Sequence, residues 1–202
     1  ADCSFYSSSV AAVERGEVDL KTFDIVDIIL GKQRTTTVGR GVAPAKYQCF
    51  TADLQSVIND YLKSSGALII SGAYIGTDLY SSGESRDVEF AEKSLHFSFI
   101  GNCATKGSVA TTASRSPIRL TGRDYHFCRD YRPDYYTVNS VDGLAATDGA
   151  TALMHYPDSR LAAAVGYKGD CATFVMSFPF ESITDSKERD LLMQDIVKYL
   201  IH

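Results

Sequence analysis

The stretch Ala67–Gly76, ALIISGAYIG, decides the fold because it joins a strand to a sharp turn. Its apolar run, Ala67–Ile70, is typical of a buried strand. The residues that follow, Ser71–Gly76, fit Gly-x-nucleophile-x-Gly, the strand-to-helix turn that presents a Ser or Cys at the top of an α/β sheet. The central position of this turn is Tyr74. The stretch therefore predicts an α/β sheet and leaves open what Tyr74 does at its edge.

The residues before this stretch alternate between strand and helix patterns. FDIVDIIL, Phe23–Leu30, is a nearly continuous β-branched run, which is typical of a strand covered on both faces. Thr51 is placed to cap a helix over residues 52–64, and Gly66 is expected to end it. Strand, helix and strand with short connections predict a parallel crossover. The apolar face of the predicted helix comprises Leu54, Val57, Ile58, Tyr61 and Leu62.

The second half of the chain has a different pattern. RDVEFAEKSLHF (residues 86–97) predicts a helix, and FSFIGN (residues 97–102) predicts a strand. Residues 107–147 are rich in Thr and turn-forming residues, which indicates antiparallel hairpins or an excursion over the sheet. Asp185 and Glu188 form a plausible capping box for the last helix. Three more strands are predicted at TALMHY (151–156), LAAAVGYK (161–168) and ATFVMSFPF (172–180). We therefore expect an α/β domain with a mostly parallel sheet and an antiparallel excursion.

Length and composition limit the classes to which the chain can belong. Its 202 residues suit a single domain, and 45% hydrophobic residues permit a sizeable core. A net charge of −5 gives no electrostatic basis for binding nucleic acid or an anionic membrane. No apolar run is long enough for a membrane span, and no signal pattern is present. Because the chain opens on strand-like sequence, CSFYSSS (residues 3–9), we expect a fragment of a longer protein, so export stays open.

The cysteine pattern gives no sign of a metal site. The cysteines are widely spaced, with no C-x-x-C and no histidine at zinc-ligand spacing. They are Cys3, Cys49, Cys103, Cys128 and Cys171. We expect most of them to be buried small hydrophobes, and an odd count argues against a complete disulfide framework but leaves one bridge open. We expect neither a metal nor a cofactor.

Three segments in order resemble the class I glutamine amidotransferase-like fold, which is flavodoxin-like. FDIVDIILG is similar to the family's strand that ends in the oxyanion-loop glycine, here Gly31. LIISGAYIG is similar to the nucleophile strand and turn. FVMSFPFES is similar to the late strand that ends in Gln-Phe-His-Pro-Glu-Ser. The resemblance extends from about Phe23 to the C-terminus and implies a flavodoxin-like sheet flanked by helices in one domain, residues 1–202.

The family's catalytic residues are missing at the matching positions. The family uses a Cys nucleophile, a His base and a Glu that orients the His, and acyl transfer needs all three roles filled. Here Tyr74 stands at the nucleophile position, Pro179 stands at the base position, and only Glu181 remains. A tyrosine hydroxyl with a pKa near 10 and no adjacent base is a poor nucleophile. The resemblance therefore implies a domain without glutaminase activity, a pseudoenzyme whose catalytic candidates are Tyr74 and Glu181.

A narrower resemblance concerns residues 3–33, with SGAYIGTDL (71–79) and FPFESI (178–183). These segments look like the amidotransferase-like portion of large exported proteins of Bacteroides-type bacteria that are often labelled xanthan lyase. That resemblance implies export, other domains of a parent protein as partners, and contact with an acidic polysaccharide. True polysaccharide lyases of that name resemble an α-helical toroid joined to β-sandwiches, so we take it as evidence of context and not of reaction.

Candidate ligand-binding residues lie near the ends of the predicted strands, where open α/β sheets usually bind ligands. The loop GKQRTTTVGRG (residues 31–41) could hold a carboxylate or sulfate there, although a solvated basic loop explains it better. It lacks the earlier glycine of a phosphate-binding P-loop. The predicted ligand-binding residues are Gly31, Lys32, Arg34, Tyr74 and Asp78.

Two further patterns have competing interpretations. GRDYHFCRDYRPDYY (residues 122–136) mixes tyrosines with arginines, which suits sugar or protein contact, but the same residues could simply cover the sheet. Ser71 and His155 could form a nucleophile–base pair, although strand residues of these types are more often structural.

The leading hypothesis is a structural or ligand-binding module of a larger exported, glycan-associated protein. The first alternative is a polysaccharide lyase or hydrolase with a remodelled site around Tyr74, Asp78 and Glu181. The second is a subunit-association domain with the tyrosine-rich segment as its interface. The position of the Tyr74 ring discriminates between the enzyme hypothesis and the other two. The enzyme hypothesis needs the ring in an open pocket with Glu181 and Arg34.

Overall fold

The computed structural model describes residues 4–39, 45–112, 120, 124–147 and 149–201. These ranges contain eleven strands and five α-helices. The strands are β1 Ile25–Gly31, β2 Thr36–Val38, β3 Ala45–Tyr47, β4 Ala67–Gly72, β5 Phe97–Ala104, β6 Ser108–Thr111, β7 Asp124–His126, β8 Ser140–Ala146, β9 Thr151–His155, β10 Ala162–Lys168 and β11 Ala172–Met176. The helices are α1 Val10–Glu14, α2 Ala52–Lys63, α3 Ile75–Tyr80, α4 Ser85–Glu89 and α5 Ser186–Ile201. Short 3₁₀ turns occur at Leu20–Thr22 and Phe180–Ser182.

The main sheet has a parallel part and an antiparallel part. β4 lies between β1 and β11 and is parallel to both. From β11 the order continues through β10, β9, β6 and β7 with antiparallel pairing. β8 also pairs antiparallel with β10, and β5 pairs with β8. The fold class predicted from the sequence, a flavodoxin-like α/β sheet flanked by helices with an antiparallel excursion in the second half, is confirmed.

Each face of the parallel part packs against a different helix. Successive residues of a strand point to opposite faces. On β4, Ile69 therefore joins the core beneath α5, and Leu68 and Ile70 join the core beneath α2. α5 contributes Leu192, Ile196, Tyr199 and Leu200. β4 is buried along its whole length, and its two faces contribute to two separate hydrophobic cores.

The predicted helix after Thr51 is α2. The Thr51 Oγ1 accepts a hydrogen bond from the Leu54 N–H at 3.1 Å, which caps the helix as predicted. Leu54, Ile58, Tyr61 and Leu62 are buried, and Val57 is half-buried. The left-handed residue after α2 is Ser65, with φ 64°, and not Gly66. A Cβ at Gly66 would lie 2.6 Å from the Tyr61 ring, so this glycine is required by packing.

Three local predictions need correction. β1 is an edge strand of the described sheet beside β4. It is not covered on both faces as predicted, because Ile29 is 57% exposed; a β-branched run reports strand propensity and not burial. The predicted loop 31–41 contains β2, which pairs with β3, and residues 40 and 41 lie outside the described ranges. Residues 4–9 form no strand, and residue 3 is not described.

The remaining helix predictions hold in their main features. The segment predicted at residues 86–97 forms α4 and a π-helical turn, Phe90–Ser94. Asp185 Oδ1 accepts the Lys187 and Glu188 N–H groups at 2.8 and 3.2 Å at the start of α5. Within the described ranges, none of the helices has both the length and the apolar character needed to cross a membrane.

The cysteines that the structure describes are all free thiols. Cys128 is buried, whereas Cys49, Cys103 and Cys171 are half-buried. Cys3 lies outside the described residues, so a bridge that involves it is not tested.

Candidate functional site

The turn after β4 lies beside the end of β1. The Ala73 N–H donates to the Gly31 carbonyl at 2.8 Å, which fixes the turn at the carboxyl edge of the sheet. A Cβ at Gly72 would lie 2.9 Å from the Leu30 Cβ, and one at Gly76 would lie 2.5 Å from the Phe99 ring. Both flanking glycines are therefore required by close packing, as the turn motif predicts. Tyr74 has φ −132° and ψ 34°, outside the helix and strand regions but with negative φ.

The Tyr74 side chain is half-buried between the α5-side core and a cation. Its ring packs against the core, and the Arg34 guanidinium carbon lies 5.1 Å from the ring centre. Such a cation–π contact orients both side chains. Arg34 and Tyr74, two of the predicted ligand-binding residues, are therefore in contact with each other.

Asp142 on β8 bonds the first turn of α3 through its carboxylate. Its N–H donates to the Ala73 carbonyl at 2.9 Å. Its carboxylate accepts the Thr77 N–H at 2.6 Å and the Thr77 hydroxyl at 2.7 Å. Loss of hydration raises the pKa of Asp142, and the hydrogen bonds from Thr77 and Asn102 oppose that rise. Asp142 was not predicted from the sequence, since β8 reaches the turn only through tertiary pairing.

The hydrogen bonds of Asp78 stabilise the fold. It is fully buried, and its carboxylate accepts the Thr35 hydroxyl at 2.8 Å and the backbone N–H groups of Cys49 and Phe50 at 3.3 and 3.2 Å. These bonds tie the residues before α2 to α3. Burial, followed by the charge of Asp78, raises the pKa of Cys49 to about 12, so this thiol stays protonated.

A cavity of about 470 Å³ opens at the carboxyl end of β1. We call it the β1 cavity; it is lined by Ile29, Leu30, Gly31, Lys32, Gln33, Tyr136 and Glu181. The Tyr136 hydroxyl donates to Glu181 Oε1 at 2.5 Å, and Lys32 Nζ donates to the Thr137 carbonyl at 2.9 Å. Gly31 has φ 57°, and a Cβ there would lie 3.2 Å from the Tyr136 oxygen. Glycine at this position therefore satisfies both the left-handed backbone and the tight space.

The electrostatics of the β1 cavity centre on Glu181. Loss of hydration, followed by the nearby Glu181 charge, raises the pKa of Asp27 on β1 to about 6. Burial, together with the hydrogen bond to Glu181 and its charge, raises the pKa of Tyr136 well above its ordinary value. Tyr136 therefore remains a neutral donor. Glu181 Oε2 is buried and has no hydrogen-bond partner among the described residues, which leaves it able to accept one more hydrogen bond.

The structure brings some of the predicted residues together and separates others. Gly31, Lys32 and Glu181 line the β1 cavity, whereas Tyr74, Arg34 and Asp78 do not. Tyr136, a member of the tyrosine-rich segment, joins the cavity and was not singled out by the sequence. A second cavity, of about 330 Å³, lies between α2 and the π-helical turn and contains none of these residues.

The other predicted groups are dispersed. Ser71 Oγ is buried without a hydrogen-bond partner in the described part of the chain, and His155 Nδ1 lies 3.3 Å from Thr112 Oγ1, so Ser71 and His155 do not pair. In the tyrosine-rich segment, Tyr125 is buried and Tyr131 is 87% exposed, while Arg123 lies outside the described residues.

Comparison with known proteins supports the fold and nothing finer. No protein-family model matches the sequence, and no curated protein matches it. A ThuA-like protein from Bacteroides uniformis has a similar structure, with a TM-score of 0.52 and 9% identity over 90% of this chain and 71% of that chain. A cytoplasmic protein from Salmonella typhimurium gives a TM-score of 0.53 and 12% identity over 96% and 76%. These similarities agree with the amidotransferase-like fold that the three sequence segments implied.

Proposed function

We propose that this chain is an amidotransferase-like domain without glutaminase activity that binds a hydroxyl-bearing, sugar-like ligand in the β1 cavity. The observation that carries the proposal is the Glu181 carboxylate, which Tyr136 orients at 2.5 Å and whose second oxygen has no partner in the described structure. Carboxylates accept hydrogen bonds strongly from sugar hydroxyls. The exposed Ile29 supplies an apolar wall for the carbon face of a ring.

One residue of the cavity, Lys32, can recognise the carboxylate of a sugar acid. Lys32 donates one hydrogen bond to Thr137, and an ammonium has two further donors. Those donors can pair with a ligand carboxylate while the ligand hydroxyls face Glu181. Tyr74 and Pro179 cannot serve together as nucleophile and base. The residues at the turn therefore support a binding role over acyl transfer.

The wider context is a further proposal. We infer that the domain belongs to a larger exported, glycan-associated protein with other domains. The support is the similarity of residues 3–33, 71–79 and 178–183 to exported proteins of that kind.

The lyase or hydrolase alternative has weaker support. It needs Tyr74, Asp78 and Glu181 around one substrate. Asp78 is fully buried on Thr35, Cys49 and Phe50, and the Tyr74 ring lies against Arg34 outside the lining of the β1 cavity. A binding role requires no rearrangement of these side chains.

Calorimetric titration with tetragalacturonate and with neutral cellotetraose tests the proposal. We expect the acidic oligosaccharide to bind more tightly. Glu181→Gln should weaken its binding about tenfold or more, since hydrogen bonds to charged groups contribute about 1.5–3 kcal/mol. Glu84→Gln, an exposed substitution at the start of α4, is the matched control. Absence of binding by either sugar, or equal weakening by both variants, would contradict the proposal.

A further inference from the structure

The second cavity, of about 330 Å³, lies between two helical segments and is separate from the β1 cavity. We call it the α2 cavity. The side chains that matter here are Gln55 from α2 and Arg86, Glu89, Phe90 and Lys93 from α4 and the π-helical turn. A π-helical turn is rare and occurs frequently at functional sites. The volume is at the lower end of the range for small-molecule sites, so the α2 cavity suits a small ligand.

Gln55 gives the α2 cavity a buried polar group, since this residue is 2% exposed. Its Nε2 donates to the Phe50 carbonyl at 2.8 Å and to Asp87 Oδ1 at 2.7 Å. Both partners are acceptors, so the amide nitrogen must face them and the orientation of the amide is fixed. Gln55 Oε1 is buried and has no hydrogen-bond partner among the described residues. A ligand that carries an N–H or O–H donor would satisfy this acceptor.

The charges around the α2 cavity balance. Arg86 and Lys93 are positive, and Glu89 is negative. Arg86 Nη2 lies 3.3 Å from Oδ1 of Asp87, whose side chain is fully buried. Burial opposes the ionisation of Asp87, but its hydrogen bonds, with that from Gln55 the largest, lower its pKa, so Asp87 is the second negative charge. Because the two positive and two negative charges cancel, a ligand that itself carries both signs leaves no charge uncompensated.

We propose that the α2 cavity binds a free α-amino acid as its zwitterion. Arg86 and Lys93 bind the ligand carboxylate, for which a guanidinium fork is well suited. The ligand ammonium group has three donors, and Gln55 Oε1 and Glu89 accept from it. Phe90 supplies apolar contact for a small side chain. The α2 cavity shares no residue with the β1 cavity, so this site does not depend on the proposed binding of a sugar acid.

Titration with L-alanine, propionate and ethylamine, followed by nitrogen-15 NMR, tests the need for both charges. Propionate is alanine without its ammonium group, and ethylamine is alanine without its carboxylate. We expect L-alanine to shift the Gln55 side-chain amide signals saturably, with a dissociation constant of about 1–10 mM. Each partial ligand should bind about tenfold more weakly or worse, because one charged contact is lost. No saturable shift with L-alanine up to about 100 mM, or equally tight binding of either partial ligand, would overturn the proposal.

Two exposed charge variants test the roles of the individual residues. Glu89→Gln should weaken the binding of L-alanine about tenfold but should not weaken that of propionate. Lys93→Gln should weaken both of these ligands and leave ethylamine within about threefold of the wild type. Asp190→Asn, an exposed substitution on α5, is the control and should change none of the three. Circular dichroism checks that the variants fold. Unchanged L-alanine affinity in both cavity variants, or equal weakening in Asp190→Asn, would contradict the assignment.

Discussion

Gly76 shows how a single Cβ limits what the turn can accommodate. A methyl group there would lie 2.5 Å from the Phe99 ring, whereas nothing lies within 4 Å of a Cβ at Gly101. Gly76→Ala should therefore destabilise the fold by about 1–3 kcal/mol through overpacking. Gly101→Ala on β5 is the matched control and should change the free energy of unfolding little. Urea unfolding measures both variants, and equal effects would contradict the packing argument.

Asp27 should titrate far above an ordinary aspartate. Its folded pKa of about 6 exceeds the ordinary aspartate value of 3.8, so the folded state binds more protons between these pH values. The free energy of unfolding should therefore fall as pH rises from about 4 to about 6 at this residue. Asp27→Asn should remove that contribution.

Carbon-13 NMR of the side-chain carboxyl measures the midpoint directly. Glu181→Gln removes the neighbouring charge but leaves the loss of hydration at Asp27, so the midpoint should move down only part of the way. A midpoint below about 4.5 in the wild type, or no change in the variant, would show that the two carboxyl groups are not coupled.

At the scale of elements, α2 is the clearest case of a helix defined by its own sequence. Leu54 and Ile58 are 2% and 0% exposed on the face that the 3.6-residue period predicts. Leu54→Ala or Ile58→Ala should cost about 2–5 kcal/mol through lost burial and a cavity. Ser56→Ala, on the exposed side of the same helix, controls for helix propensity. Chemical denaturation measures these costs, and a loss below about 0.5 kcal/mol would place the face in solvent.

Elements that exist only through pairing with another strand were harder to predict. α2 and β4 follow from local periodicity and capping, and their prediction is confirmed. β2 is a three-residue strand that exists through pairing with β3, and Thr36–Val38 carry too short a pattern to signal it. The edge position of β1 likewise depends on which strands are present beside it, which no pattern within Phe23–Leu30 reports.

The residues of the candidate site likewise divide into those that the sequence predicts and one that depends on a tertiary contact. Gly31, Lys32 and Glu181 were named from strand ends and from the family resemblance, and the structure places all three on the β1 cavity. Tyr136 reaches the cavity from the long excursion between β7 and β8. Tyr136 is distinguished from the other tyrosines by its 2.5 Å hydrogen bond to Glu181, which lies 45 residues away in the sequence. No sequence pattern reports that contact.

At the scale of the whole molecule, the fold is separable from the family's chemistry. We expect no ammonia release from glutamine above a no-enzyme control, because Tyr74 and Pro179 occupy the nucleophile and base positions. A coupled glutamate dehydrogenase assay measures this. Release that Tyr74→Phe abolishes would show that a tyrosine has taken over the nucleophile's role and would contradict the binding-module proposal.

The Asp142 carboxylate at the start of α3 sets a condition for anyone who tries to engineer amidase chemistry into this scaffold. A cysteine introduced at position 74 would stand three residues before Thr77, whose N–H and hydroxyl already bond the Asp142 carboxylate. That charge disfavours the thiolate. The double variant Tyr74→Cys/Pro179→His would therefore supply a nucleophile and a base without the electrostatic environment that a thiolate needs. Neutralising Asp142 is the additional step, and it would weaken the side-chain bonds to Thr77 while the Asp142 N–H bond to Ala73 remains.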